Sequence, residues 1–95
     1  MKLDIRPTFI LSALEQEGPV RKGIRKMIQV AGGHSFRELL AHKGVHLEKI
    51  PGMTAPDGSD LYTLRVTLAA RAIATVKGDV LVLFYVEPDH DAAYR

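Results

Sequence analysis

Seven consecutive apolar residues, Val80 to Val86, constrain this chain more than any other stretch. The run is rich in β-branched and aromatic side chains, is shorter than an ordinary helix and has no polar face. It predicts a strand buried on both sides, at the centre of a sheet. Lys77-Gly78-Asp79 before it is a tight turn in which Gly78 supplies a positive φ. The segment from Leu61 to Val76 therefore supplies the partnering arm of a hairpin. Arg65 and Arg71 interrupt these otherwise apolar arms, and Thr67-Leu68-Ala69 between them reads as a possible further turn.

The remaining elements follow from periodicity and punctuation. Lys2 to Arg6 alternates, with Leu3 and Ile5 on one face, as a short strand does. Pro7 suits the first turn of a helix, whose apolar face is Phe9, Ile10, Ala13 and Leu14. Gly18-Pro19 separates it from a second helix with an apolar stripe of Val20, Ile24, Met27, Ile28 and Ala31. Its other side is basic: Arg21, Lys22, Arg25 and Lys26. Gly32-Gly33 stops this helix, and Ser35-Phe36-Arg37-Glu38 has capping-box spacing for a third, broken at Gly44. Val45 to Ile50 is an extended or weak strand segment. Pro51 to Asp60, with its prolines, glycines and aspartates, reads as a loop. Glu87 to Arg95 is an irregular turn or a single helical turn. The order β, α, α, short α, then three strands predicts an α+β domain. An N-terminal strand and helices would cover one face of an antiparallel sheet, leaving the other open for binding.

A chain of 95 residues makes one domain, 1–95, and a hydrophobic content of 46% argues against disorder. There is no cysteine, hence no disulfide or thiol chemistry, which is compatible with a cytoplasmic setting. The N-terminal residues lack the apolar core of a signal peptide, and no apolar run is long enough to span a membrane. A formal net charge of +2 permits a polyanionic partner without requiring one.

Several residue groups could carry chemistry. Arg65 and Arg71 are six apart, so an uninterrupted strand would place them on one face; with a turn between them they flank it and can still converge. Arginine grips phosphate through a planar fork, and two of them could hold one phosphodiester and stabilise charge developing on it. The plainer reading is that their stems cover apolar surface. His90 and Tyr94 share a face if their segment is helical, and Asp89 and Asp91 flank the imidazole. A metal site at Asp89, His90 and Asp91 lacks further ligands at recognisable spacing. His42 and His46 are four apart with Gly44 between them. Glu48-Lys49 is either a solvated pair or a carboxylate base beside a cation. The basic helix around Arg21, Lys22 and Arg25 is a wet face or an electrostatic footprint on RNA. No Walker loop, dinucleotide fingerprint, nucleophile elbow or zinc-ligand pattern is present.

Leu64-Arg65-Val66, Arg71-Ala72-Ile73, the Lys77-Gly78-Asp79 turn, the following apolar strand and the ending His90-Asp91-Ala92-Ala93-Tyr94-Arg95 resemble the RelE/ParE toxin superfamily. The likeness is to RelE-like members with a terminal His-Asp-x-x-Tyr motif. It implies a RelE-like α+β domain and a type II toxin that cleaves mRNA on the ribosome. The 2′-hydroxyl would attack the adjacent phosphate, without a metal or other cofactor. On this resemblance Arg65 and Arg71 bind phosphate, His90 is the general acid and Tyr94 orients. Lys49, Arg21, Lys22 and Arg25 contact RNA, and Glu48 or Lys49 matches a base or charge position. It also implies a cognate antitoxin as partner, in a hetero-oligomer, with a homodimer as the other assembly. Two other readings stay open: a ParE-like gyrase inhibitor without RNA chemistry, and a catalytically inactive interaction module of the same fold.

Overall fold

The computed structural model describes residues 1–89. The elements run β1 (Lys2–Ile5), α1 (Pro7–Leu14), α2 (Gly18–Gly32), α3 (Phe36–Ala41), β2 (Glu48–Thr54), β3 (Asp60–Arg65), β4 (Arg71–Lys77) and β5 (Val80–Glu87). The five strands form one sheet in the order β1-β5-β4-β3-β2. β2 to β5 are an antiparallel meander, as expected, and β1 adds itself parallel to β5, with Lys2 opposite Val80 and Ile5 opposite Leu83. The apolar run of β5 is thus an interior strand, but the middle of the sheet is β4.

The helices pack on one face. Phe9 from α1, Ile24, Met27 and Ala31 from α2 and Leu39 from α3 meet Leu64, Ala72, Ala74, Leu81, Leu83 and Val86 in one continuous core. Each helix start follows from its sequence. Proline sits at the first turn of α1 and of α2, where a missing N–H removes no hydrogen bond. α3 opens on a complete capping box: the Glu38 N–H donates to Ser35 Oγ at 3.2 Å, and the Ser35 N–H donates to Glu38 Oε1 at 2.8 Å. Those bonds, the Ser35 backbone one foremost, hold the Glu38 carboxyl below its ordinary range.

Two further features of the sheet depart from the sequence expectation. β2 runs on through Pro51 and Gly52, residues assigned above to a loop. It is an edge strand, where a proline deprives no neighbour of a donor, and its pairing slips between Lys49 and Thr54 with Gly52 at φ +71°. The second departure is a bulge in β5. Ala74 faces Leu83 but Ile73 faces Tyr85, so Phe84 is the extra residue. α1 clamps this point: the Thr8 hydroxyl donates to the Phe84 carbonyl at 2.5 Å, and Ser12 Oγ accepts from the Val86 N–H at 2.9 Å. The bulge resets the alternation. Leu81 and Leu83 face the helices, and so does Val86, which turns Tyr85 and Glu87 to the opposite side.

Candidate functional site

The helix-free face of the sheet carries most of the polar chemistry. Cross-strand register lays it out in two rows. Glu48, Thr63, Ile73 and Tyr85 stand opposite one another across β2, β3, β4 and β5. The next row is Arg65, Arg71 and Glu87. Residues directly opposite in an antiparallel pair share a face, with Cβ atoms about 5 Å apart. The two arginines are therefore immediate neighbours, brought together by the reversal at 66–70 between β3 and β4 rather than by spacing along one strand. The 54–59 connection covers part of the same face farther along. Its Ala55 is buried, and Asp57 pairs with Lys77.

The two arginines are in different states. Arg71 is 5% exposed, and its Nη1 donates to the carbonyls of Thr67 at 2.7 Å, Ala70 at 3.0 Å and Leu68 at 3.2 Å. The fork expected to grip phosphate thus holds the β3–β4 reversal together. The turn points several carbonyls inward, and buried carbonyls need a donor. Arg65 is half-buried. Its N–H donates to Val45 O at 2.6 Å, but its guanidinium makes no hydrogen bond or ion pair among the described residues, and its Nε is buried there without a partner. A donor in that state costs about 1–3 kcal/mol of desolvation, and a second guanidinium directly opposite adds repulsion. An anion bound at Arg65 relieves both.

Beside this pair stands a carboxylate. Glu48 is the diagonal neighbour of Arg65, because it lies opposite Thr63 two residues earlier on β3. The His46 ring bonds to the Glu48 carboxylate, and His46 has φ +51°, which swings the chain into β2. On the far side, Tyr85 has its hydroxyl raised above the ordinary tyrosine range, first by partial burial and then by the charge of Glu87. It stays an O–H donor across the neutral range.

The other residues singled out in the sequence are distributed differently. Lys49 faces the helix side of β2, opposite Tyr62, and bonds Asp60 at 3.4 Å. Arg21, Lys22 and Arg25 lie on α2 in the helix layer, and Arg21 Nη2 donates to Leu14 O at 2.7 Å. None of these four joins the arginine pair. Lys26, with His42, Val45, Arg65 and Leu68, borders a cleft of about 170 Å³ where α2 meets the 66–70 reversal. His42 and His46 do not form a pair; the His42 ring turns back onto its own turn. His90 and Tyr94 lie outside the described residues. Sequence reading missed Tyr85 and Glu87, whose orientation depends on the bulge, and the coupling of His46 to Glu48. Among the described residues no three His, Asp or Glu side chains gather to hold a metal ion, and no helix is long and apolar enough to cross a membrane.

Comparison with known proteins places the fold. The chain shares it with a Helicobacter pylori toxin. That structure, a copper-bound mutant, superposes with a TM-score of 0.57 over 97% of each chain at 12% sequence identity. No protein-family model matches the sequence, and no curated protein does.

Proposed function

We propose that this protein is the toxin of a toxin–antitoxin pair and cleaves messenger RNA on the ribosome by metal-independent transesterification. The observation that carries the reading is the Arg65 guanidinium: without an acceptor among the described residues, it stands beside Glu48 on the helix-free face of the sheet. The fold shared with a bacterial toxin supports it. In the reaction Glu48, hydrogen-bonded to His46, takes the proton of a ribose 2′-hydroxyl. The 2′-oxygen attacks the adjacent phosphorus, and Arg65 stabilises the added negative charge. Arg71 contributes its charge from the adjacent strand and fixes the strand end that aims Arg65. The 5′-oxygen leaves as its bond to phosphorus breaks and is protonated by His90, with Tyr94 orienting. The products are a 2′,3′-cyclic phosphate and a 5′-hydroxyl end.

The antitoxin in this reading has a surface to use. α1 and α2 enclose an apolar groove of about 290 Å³, lined by Ile5, Phe9, Ile10, Leu14, Ile24 and Ile28, with Arg21 and Arg25 at its rim. Ile10 and Leu14 are 50% and 62% exposed. An amphipathic acidic segment of the partner complements it.

The test is induction in a bacterial host, with message ends mapped on ribosomes. Arg65→Ala and Glu48→Gln are each expected to reduce cleavage by about 10²-fold or more while circular dichroism and melting stay near wild type. Wild-type growth arrest with intact messages and a DNA-damage response would overturn the nuclease reading in favour of gyrase inhibition. Unchanged cleavage in Arg65→Ala would remove the assigned site.

A further inference from the structure

The turn that delivers His46 and Glu48 to the sheet is built around one imidazole. His42 closes α3, and its Nδ1 accepts two backbone N–H groups, from Gly44 at 3.1 Å and Val45 at 3.0 Å. Its carbonyl accepts from the His46 N–H at 2.8 Å, closing the turn. The ring packs so closely over Gly44 that a Cβ there would lie 2.9 Å from His42 Cε1. Two consequences reach the site. Val45 is held with its side chain in the core and its carbonyl on the Arg65 N–H, and His46 is held at positive φ, leading straight into Glu48. Reciprocal anchoring of this kind fixes Arg65 and Glu48 relative to each other.

An imidazole nitrogen that accepts two N–H groups carries no proton, so the neutral ring bears its hydrogen on Nε2. Protonation would set an Nδ1–H against two N–H donors. The His34 ring stands edge-on to it at 5.2 Å, and the charged residues that line the same cleft are Lys26 of α2 and Arg65 of β3. On its own turn the titratable neighbours are Lys43 and the His46–Glu48 pair. His34 Nδ1 is itself bonded to Val30 O at 2.7 Å, and no carboxylate of the described residues lines the cleft.

We propose that His42 is a positioning residue: its neutral, Nδ1-accepting ring holds the 42–46 turn, and protonation of that ring releases the turn and with it the register of Glu48 against Arg65. The effect on cleavage rests on the function proposed above; the effect on the turn does not. The experiment uses the full ¹⁵N-labelled chain, following amide protection of Gly44, Val45 and Arg65 and the His42 Cε1–H resonance from neutral pH down into acid until that resonance completes its shift. Protection at Val45 is expected to fall about tenfold in step with the His42 resonance, the fold-change expected when a hydrogen bond of ordinary strength is lost. His42→Asn places Oδ1 where Nδ1 was, both on Cγ, and cannot titrate. It is expected to keep protection at neutral and acid pH and to remove from the acid limb of message cleavage the part that follows the His42 resonance. His42→Ala is expected to lose protection throughout. Val45 protection that ignores the His42 titration, or that His42→Asn loses at neutral pH, overturns the proposal. If His42→Ala does not fold, the wild-type titration and His42→Asn still decide. A wild type that cleaves no message but shows the coupled titration refutes the nuclease and leaves the turn mechanism standing.

Discussion

At Gly23 α2 packs against the β3–β4 reversal, and replacing it gives a sharp prediction. A Cβ at position 23 would lie 2.3 Å from the Val66 carbonyl oxygen and 3.0 Å from Val66 Cγ1. Ordinary contact is beyond about 3.4 Å, so α2 or the chain at Val66 must move by about 1 Å. Neither yields easily. The Val66 and Thr67 N–H groups both donate to Ala70 O, and the Arg71 guanidinium ties Thr67, Leu68 and Ala70 together. Overpacking of this kind costs about 1–3 kcal/mol, and backbone against backbone belongs at the upper end. Alanine recovers about 1 kcal/mol of helix propensity. Gly23→Ala should therefore lose about 2 kcal/mol net and melt roughly 8–16 °C lower for a domain of this size. Gly32, in the last turn of the same helix, has open space where its Cβ would be. Gly32→Ala should gain roughly 0.5–1 kcal/mol. Thermal melts and urea titrations of the two variants beside wild type provide the assay. If both variants stabilise, or Gly23→Ala melts with wild type, the close docking of α2 on Val66 is refuted.

Two further perturbations test other parts of the structure. Arg71→Met keeps much of the volume but strands the Thr67 and Leu68 carbonyls, while Ala70 O keeps the Val66 and Thr67 N–H groups. It should destabilise by about 2–4 kcal/mol in urea titration, and a loss under about 0.5 kcal/mol would show that Arg71 does not hold the reversal. The Asp57 carboxyl is held well below the ordinary carboxylate range, first by the Lys77 ammonium and then by the Ser59 hydroxyl and N–H. Its folded value lies beneath its unfolded one, so this contribution is fully present above the ordinary aspartate value and drains away as pH falls from there toward the lower folded value. The stability difference between wild type and Asp57→Asn should accordingly be constant near neutrality and shrink in acid below about pH 4. A difference that is flat into that acid range refutes the pairing.

Local signals in the sequence translated directly into structure. Ser35 and Glu38 form both halves of their capping box, Gly78 takes φ +63° between β4 and β5, and Thr67-Leu68-Ala69 lies in a reversal that sets Arg65 against Arg71. These succeed because each is decided within a few residues. The misreadings concern relations that no short window contains. Pro51 ends a strand only if both edges are paired, and β2 has a free edge. The bulge at Phe84 is hidden in a uniformly apolar run, because it is set by Thr8 and Ser12 from the other end of the chain. His42 and His46 are four apart with Gly44 between them, and their rings part because His42 turns back onto the Gly44 and Val45 amides while His46 bonds Glu48. Arginine type alone does not distinguish Arg71, consumed by loop carbonyls, from Arg65; that distinction lies in which way a turn points its carbonyls.

The parallel pairing of β1 with β5 joins residues nearly the whole domain apart, Lys2 with Val80. A ribosome making this chain releases β1, all three helices and the β2–β3–β4 ribbon before the strand that must slot between β1 and β4. Until then α1 has no Phe84 carbonyl to clamp, and Arg71 has no Glu87 across from it. Such late, long-range closure favours slow completion, so the helix layer and the β2–β3–β4 ribbon wait for β5 through most of the chain's synthesis.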